Sequence, residues 1–164
     1  MSPSKNGPIS NPQQEPPFVP REGQIDYTNV QRAPVINCVI TCRGKILLVQ
    51  RNKNMRFYPG LWNGVSGFLD EPSKTIEEKV REELREELCV HEDEILSIQT
   101  GMTIEVIAPK YDKVWVVHPV HVELSTLEVK LDWEAQNHVW IEPEEVHEYE
   151  LVPDFDKVLD TFSL

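Results

Sequence analysis

Basic side chains are scarce: 16 Lys and Arg stand against 28 Asp and Glu, a formal net charge of −12 at pH 7. A surface this acidic repels nucleic-acid backbone and anionic lipid, which are bound by Lys and Arg that neutralise phosphate. No nucleic-acid polymer and no membrane is expected as a partner, and any phosphate the protein handles needs a local cation. Cysteine is rare too. Cys38, Cys42 and Cys89 are odd in number and lack a paired Cys-x-x-Cys spacing, which argues against a disulfide framework and a structural zinc site. Long apolar runs are missing: none approaches the roughly 20 residues that cross a bilayer, and the first residues lack the basic-then-apolar pattern of a secretory leader. The expectation is a soluble protein of the reducing cytoplasm.

What the chain does contain is the composition of one globular unit, 164 residues with 40% hydrophobic and 27% charged side chains. Pro3, Pro8, Pro12, Pro16, Pro17 and Pro20 among Ser, Asn and Gln mark residues 1–20 as a disordered or extended arm, and residues 21–164 as the folded domain. Residues 35–42 are nearly all apolar, Arg43 and Gly44 supply a turn, and residues 45–50 are apolar again, which predicts a hairpin buried on both faces. Residues 52–63 lose the pattern and carry Phe57, Tyr58 and Trp62 in what reads as a functional surface loop. A short strand precedes a helix over residues 75–88, with Ser73 or Thr75 as cap. Residues 96–107 and 112–124 suggest a second antiparallel pair, residues 127–131 and 138–141 shorter strands, and Pro143 and Pro153 the starts of two late helices. The fold class is α+β.

The helix is where chemistry is legible. With Ile76 set at zero and about 100° per residue, Ile76, Val80, Leu84 and Leu88 form one apolar stripe reaching roughly 120°. Glu87 falls near 20°, inside that stripe, Glu83 near 340° and Glu86 near 280° on its flank. Most acidic helices are simply solvated, and Glu78 and Glu82 fit that description. Glu87 does not, because a carboxylate within an apolar stripe carries a desolvation cost of several kcal/mol unless something positive compensates. Every Lys and Arg of the helix lies outside the stripe by this arithmetic. Lys79 is nearest, at about 300°, and is already able to pair with Glu83. A divalent cation is left as the expected partner of Glu87. Gly67, lacking a Cβ, would let the preceding strand approach the helix closely.

At these residues the sequence resembles the Nudix hydrolases, whose box reads Gly-x5-Glu-x7-Arg-Glu-U-x-Glu-Glu-x-Gly-U, with U bulky and aliphatic. Residues 82–90, Glu-Glu-Leu-Arg-Glu-Glu-Leu-Cys-Val, match its second half in the three helical glutamates and both aliphatic positions. Glu82 stands where the family has Arg, Cys89 where it has Gly and Lys74 where it has the first Glu, and one extra residue separates Gly67 from Lys74. Lys74 and Glu82 keep the eight-residue separation of the family's Glu and Arg, so we read them as a charge-swapped ion pair bracing the loop on the helix. Arg51, residues 59–62 and residues 140–145 extend the resemblance over most of residues 35–163.

The resemblance implies an α/β/α sandwich with a mixed sheet and a catalytic loop-helix-loop. It implies hydrolysis of a diphosphate linkage in a nucleoside diphosphate derivative, with Mg²⁺ as cofactor and Mn²⁺ as substitute. Glu83, Glu86 and Glu87 would be metal ligands or, for one of them, the base, with the Ser66 or Gly67 carbonyl completing the shell. Glu134, with Asp132 behind it, would be a further ligand from a late loop. Arg51, Lys53 and Arg56 are the candidates for terminal phosphates, and Tyr58, Trp62 and Phe57 for stacking a base. His118 and His121 are read as structural. The partner is a small diphosphate substrate, and the pattern leaves a homodimer open. Lys74 and Glu82 motivate an alternative, a catalytically degenerate Nudix-fold module that binds nucleotide or metal. The net charge alone motivates a third reading, an acidic scaffold.

Overall fold

Arg43 and Gly44 take left-handed φ angles of 53° and 79°, the backbone that a two-residue turn requires to match strand twist. They join β1 (Arg32–Cys42) to β2 (Lys45–Arg51), with Cys42 opposite Lys45. The computed structural model describes residues 15–164; the expected arm lies outside the described residues at 1–14 and has no regular secondary structure at 15–20. β1 is the central strand. One edge pairs antiparallel with β2 and with β4 (Val65–Phe68), and the other runs parallel to β7 (Lys113–Leu124). Its unbroken apolar run follows from burial on both faces. Ile36, Cys38, Ile40 and Cys42 pack with Val80, Leu84 and Leu88 of α1 (Ile76–Leu88). Ala33 and Val39 pack with Phe155, Val158 and Leu159 of α2 (Phe155–Thr161). The result is the α+β Nudix-like sandwich, with a helix on each face of an eight-stranded mixed sheet.

Three expectations change. The segment read as one strand over residues 96–107 is two, β5 (Ile95–Thr100) and β6 (Ile104–Ala108), laid end to end along the same edge of β7. Pro119 of β7 has no N–H to donate, and the pairing passes from β6 to β5 across it. Residues 127–131 are not a strand: their backbone crosses the end of α1, with the Lys130 N–H bonded to the Leu88 carbonyl, while Leu127, Val129 and Leu131 pack beside the helix. The apolar alternation is real there but reports contact with α1. The remaining strands are β3 (Trp62–Asn63) and β8 (Ala135–Ile141), both paired with β2. Pro143 opens a 3₁₀ turn, Pro143–Glu148, where a short helix was expected. Among the described residues no helix is long and apolar enough to cross a membrane.

Candidate active site

Thr75 starts α1 in a capping box with Glu78, and this fixes where the helix begins after the loop over residues 69–74. Glu83 then projects from α1 against Gly67 of β4, and Glu86 and Glu87 follow it one turn later. Gly67 makes this approach workable: a Cβ there would sit 2.6 Å from Glu83 Oε1. Glu83 is buried, Glu86 is exposed and Glu87 lies between. Glu87 Oε2 is sealed from solvent and has no hydrogen-bond partner. Glu82, Glu83 and Glu86 can each bring an oxygen within 4.8 Å of the others.

The electrostatics match the geometry. Burial raises the Glu87 carboxyl well above its usual range, and Glu83, Glu134 and Asp132 push in the same direction. Glu86 is raised by burial and then by Glu83 and Glu82. Glu134, from the loop before β8, is raised to about 8 by burial, Asp132 and Glu83, with Arg51 opposing. The side chains expected from the sequence at 83, 87 and 134 thus share one electrostatic neighbourhood, although 134 is remote in the chain. Clustered, partly dehydrated carboxylates with an orphaned oxygen suit a hard divalent cation such as Mg²⁺.

The other half of the helix edge departs from the expectation. Lys79 is buried rather than flanking: its Nζ lies 3.1 Å from Asp70 Oδ1 and 3.4 Å from both Glu82 Oε1 and Glu83 Oε2, with the side chain 6% exposed. Burial works against the ammonium, yet Glu83, Asp70 and Glu82 together hold its pKa above the ordinary lysine value. Lys74 Nζ meets Glu82 Oε2 at 2.5 Å and Glu71 at 3.1 Å, so the expected swapped pair is present. Glu82 is therefore shared by two lysines, and it is not the solvated side chain that helix arithmetic suggested. The loop over residues 69–74 folds across that flank and carries Asp70 with it, which no helical period can register.

A cleft of about 400 Å³ adjoins the carboxylates, walled by Tyr27, Phe57, Tyr58, Phe68 and Trp115, with Arg51 and Glu134 at its polar side. Arg51 donates from Nε to the Phe57 carbonyl at 2.7 Å and is half-buried, and loss of water lowers its pKa against the pull of Glu134 and Glu87. Tyr58, at φ 50°, accepts from Trp115 Nε1 at 3.0 Å through its hydroxyl, and its N–H donates to the Tyr111 hydroxyl. Arg56 does not line the cleft: it donates to the Thr28 carbonyl and Asn29 Oδ1 and lies 4.8 Å over the Phe57 ring, a brace on the outside. Trp62 is also elsewhere, edge-on to Tyr149 at 5.2 Å and paired by its backbone with Glu150 and Leu151. Its position in β3 turns it away from the cleft and onto the α2 side. Lys53 bonds Gln136 through its N–H and is outside the wall. His118 and His121 lie on β7 away from the cleft, with the His121 ring 2.8 Å from the Thr41 hydroxyl.

Several cleft residues went unread in the sequence. Asn37 donates to Asn63, and Asn63 donates to Ser66, forming a polar chain along the cleft floor. A polar Asn inside the apolar run of β1 was the available signal. Residues 15–19 also line the cleft, although a disordered or extended arm was expected, because Arg21 bonds Glu71 and the Ile25 N–H bonds the Asp70 carbonyl and so fasten the segment there.

The family model of the NUDIX domain matches residues 31–162. The nucleoside triphosphatase NudI of Escherichia coli is 30% identical over 116 residues, which span 66% of this chain and 80% of that protein. The NUDIX domain of Shewanella oneidensis NrtR, solved with ADP ribose, superposes with a TM-score of 0.66 at 20% identity, over 80% of this chain and 86% of that one. The C. elegans Ap4A hydrolase superposes at 0.65 and 22% identity, over 80% of this chain and 95% of that one. At those identities the two structures speak for the fold. The domain match covers the sheet, α1 and the part of the cleft that they build, and the chain therefore belongs to the Nudix family, as a hydrolase of phosphorus-containing anhydrides.

Proposed function

We propose that the protein hydrolyses the diphosphate linkage of a nucleoside diphosphate derivative with Mg²⁺, or Mn²⁺ in its place, in the cytoplasm. The observation that carries this reading is the orphaned Glu87 oxygen, set among Glu83, Glu134 and Asp132 beside an aromatic cleft that Glu83 and Glu134 line. Glu83, Glu86, Glu87 and Glu134, with the Gly67 carbonyl, would hold the metal, which would neutralise phosphoryl oxygens and lower the pKa of the attacking water. One glutamate of the row accepts the proton as the water oxygen bonds to phosphorus and the bridging P–O bond breaks. Arg51 brings a cation at the cleft wall to the phosphate chain. Tyr58 and Trp115 supply ring faces for a base, a contact worth about 1–3 kcal/mol per base. NudI is named for nucleoside triphosphates, the C. elegans hydrolase for Ap4A, and the NrtR domain was solved with ADP ribose; all three molecules carry a phosphoanhydride attached to a nucleoside.

A panel of nucleoside triphosphates, ADP-ribose and Ap4A tests this. Product should form with Mg²⁺ and not with EDTA. Glu87→Gln should lose at least roughly two orders of magnitude, since a ligand contributes several kcal/mol of charge stabilisation in the transition state. Glu78→Gln, at the exposed capping position, should be nearly silent. Equal losses from the two, or turnover undiminished in EDTA, would overturn the reading, and bound nucleotide without any product would favour the degenerate module.

A further inference from the structure

The metal reading leaves Lys79 unexplained. A buried ammonium among the carboxylates of a cation site is an odd neighbour, because it repels the ion that the site is built to attract. Its three carboxylate contacts are not spread evenly over the acidic edge. Asp70 and Glu82 lie away from Glu87, and only Glu83 is common to Lys79 and to the orphaned side. Lys74 closes the same half from outside through Glu82 and Glu71. Both carboxylate oxygens of Glu82 are thus engaged by lysines, Oε1 by Lys79 and Oε2 by Lys74. Glu82 is near enough to Glu83 and Glu86 to join them around an ion, but its oxygens are already committed.

We propose that Lys79 is a tethered cation standing in the acidic site: its ammonium occupies the locus between Asp70, Glu82 and Glu83, withholds Glu82 from metal, and confines divalent ions to the Glu83, Glu86 and Glu87 side. Lys79 is a positioning residue in this scheme, acting through Glu83, whose carboxylate is gripped by the ammonium on one side and by the close backbone of Gly67 on the other. The charge reversal at 74 and 82 belongs to the same arrangement. A Glu at 82 flanked by two lysines makes a self-neutralised half-site. An Arg introduced at 82 would face Lys79 directly, so reversing 74 and 82 alone would not restore the balance.

This inference rests on the metal reading, and counting bound Mn²⁺ by electron paramagnetic resonance and calorimetry separates the two. If wild type binds no Mn²⁺, the metal reading fails. If it does, Lys79→Gln should bind one Mn²⁺ more per chain, Lys79→Arg should keep the wild-type count, and Lys79→Gln with Glu82→Gln should lose the extra ion. In wild-type background Glu82→Gln should leave Mn²⁺ affinity within about twofold, a readout that remains even if Lys79→Gln does not fold. An unchanged count in Lys79→Gln, or a tenfold or greater loss of affinity in Glu82→Gln, would overturn the proposal.

Discussion

The acidic edge of α1 has two halves within two helical turns, and they solve opposite problems. Around Glu82 the carboxylates are satisfied by the chain's own cations: Lys74, Lys79 and, further out, Arg21 on Glu71. Around Glu87 the neighbours are Glu83, Glu134 and Asp132, and one buried oxygen has no partner at all. The same residue type is structural in one half and poised for a ligand in the other. What separates them is the loop over residues 69–74, which brings Asp70 and Lys74 to the first half and no cation to the second.

The sharpest way to break the comparison is to neutralise one glutamate in each half without metal. In EDTA, Glu82→Gln should lower stability by about 3 kcal/mol, because removing one member of a buried ionic group strands the others. Glu87→Gln should act with the opposite sign, raising stability by about 1 kcal/mol, or roughly 3 °C in melting temperature, by relieving burial of a carboxylate against Glu83, Glu134 and Asp132. Shifts of the same sign would mean that the halves do not differ.

Glu83 stands at the boundary, and Gly67 holds it there. Gly67→Ala should push the flexible end of Glu83 aside, costing roughly tenfold to a hundredfold in kcat while the melting temperature moves by only a few degrees, since a 1 Å misplacement suffices for such losses. Loss of folding with no separable catalytic defect would refute this role.

A gentler probe is pH in the metal-free protein. Glu134 titrates near 8 when folded and near 4.5 when unfolded, so the folded form holds the proton more tightly. Its contribution to stability is complete below about pH 4.5 and is lost as pH rises through about 8. Wild type in EDTA should therefore lose stability relative to Glu134→Gln over that window. A flat difference between the two melting profiles would sink the assignment.

The smallest effect is expected where neither half is touched. Cys89 caps α1 in the left-handed region at φ 55°, with its N–H returned to the last turn, at the position where the box has Gly. Cys89→Gly should stabilise by about 1 kcal/mol and leave activity unchanged, because a Cβ is strained there. Chemical denaturation measures it, and destabilisation would show that the thiol makes a contact worth more than the strain.

The helix, its cap, its stripe and the anomaly of Glu87 were all readable along the chain, because each is set by residues within a few turns of one another. The β1 and β2 hairpin was readable for the same reason, through Arg43 and Gly44. Trp62 and Arg56 looked like binding residues because aromatic and basic side chains in a loop are ambiguous until neighbours are known, and Tyr149 and Phe57 claimed them. The alternation at residues 127–131 misled for a related reason: period-two burial arises wherever an extended chain lies on a core, whether or not a ladder forms.

Lys79 and Glu134 mark the limit most clearly. Helical angle placed Lys79 just beyond the apolar stripe, but whether that flank is wet or covered depends on a loop whose path no periodicity encodes. Glu134 reaches the site because β8 pairs with β2, where a register shift beside Arg51 sets Ala135 opposite it. Local residue order carried the shape of the helix and the kind of charge on it. Which carboxylates are neutralised by lysine and which are left for an ion was decided by segments far apart in the chain meeting at one edge, where burial strengthens every attraction and every repulsion between them.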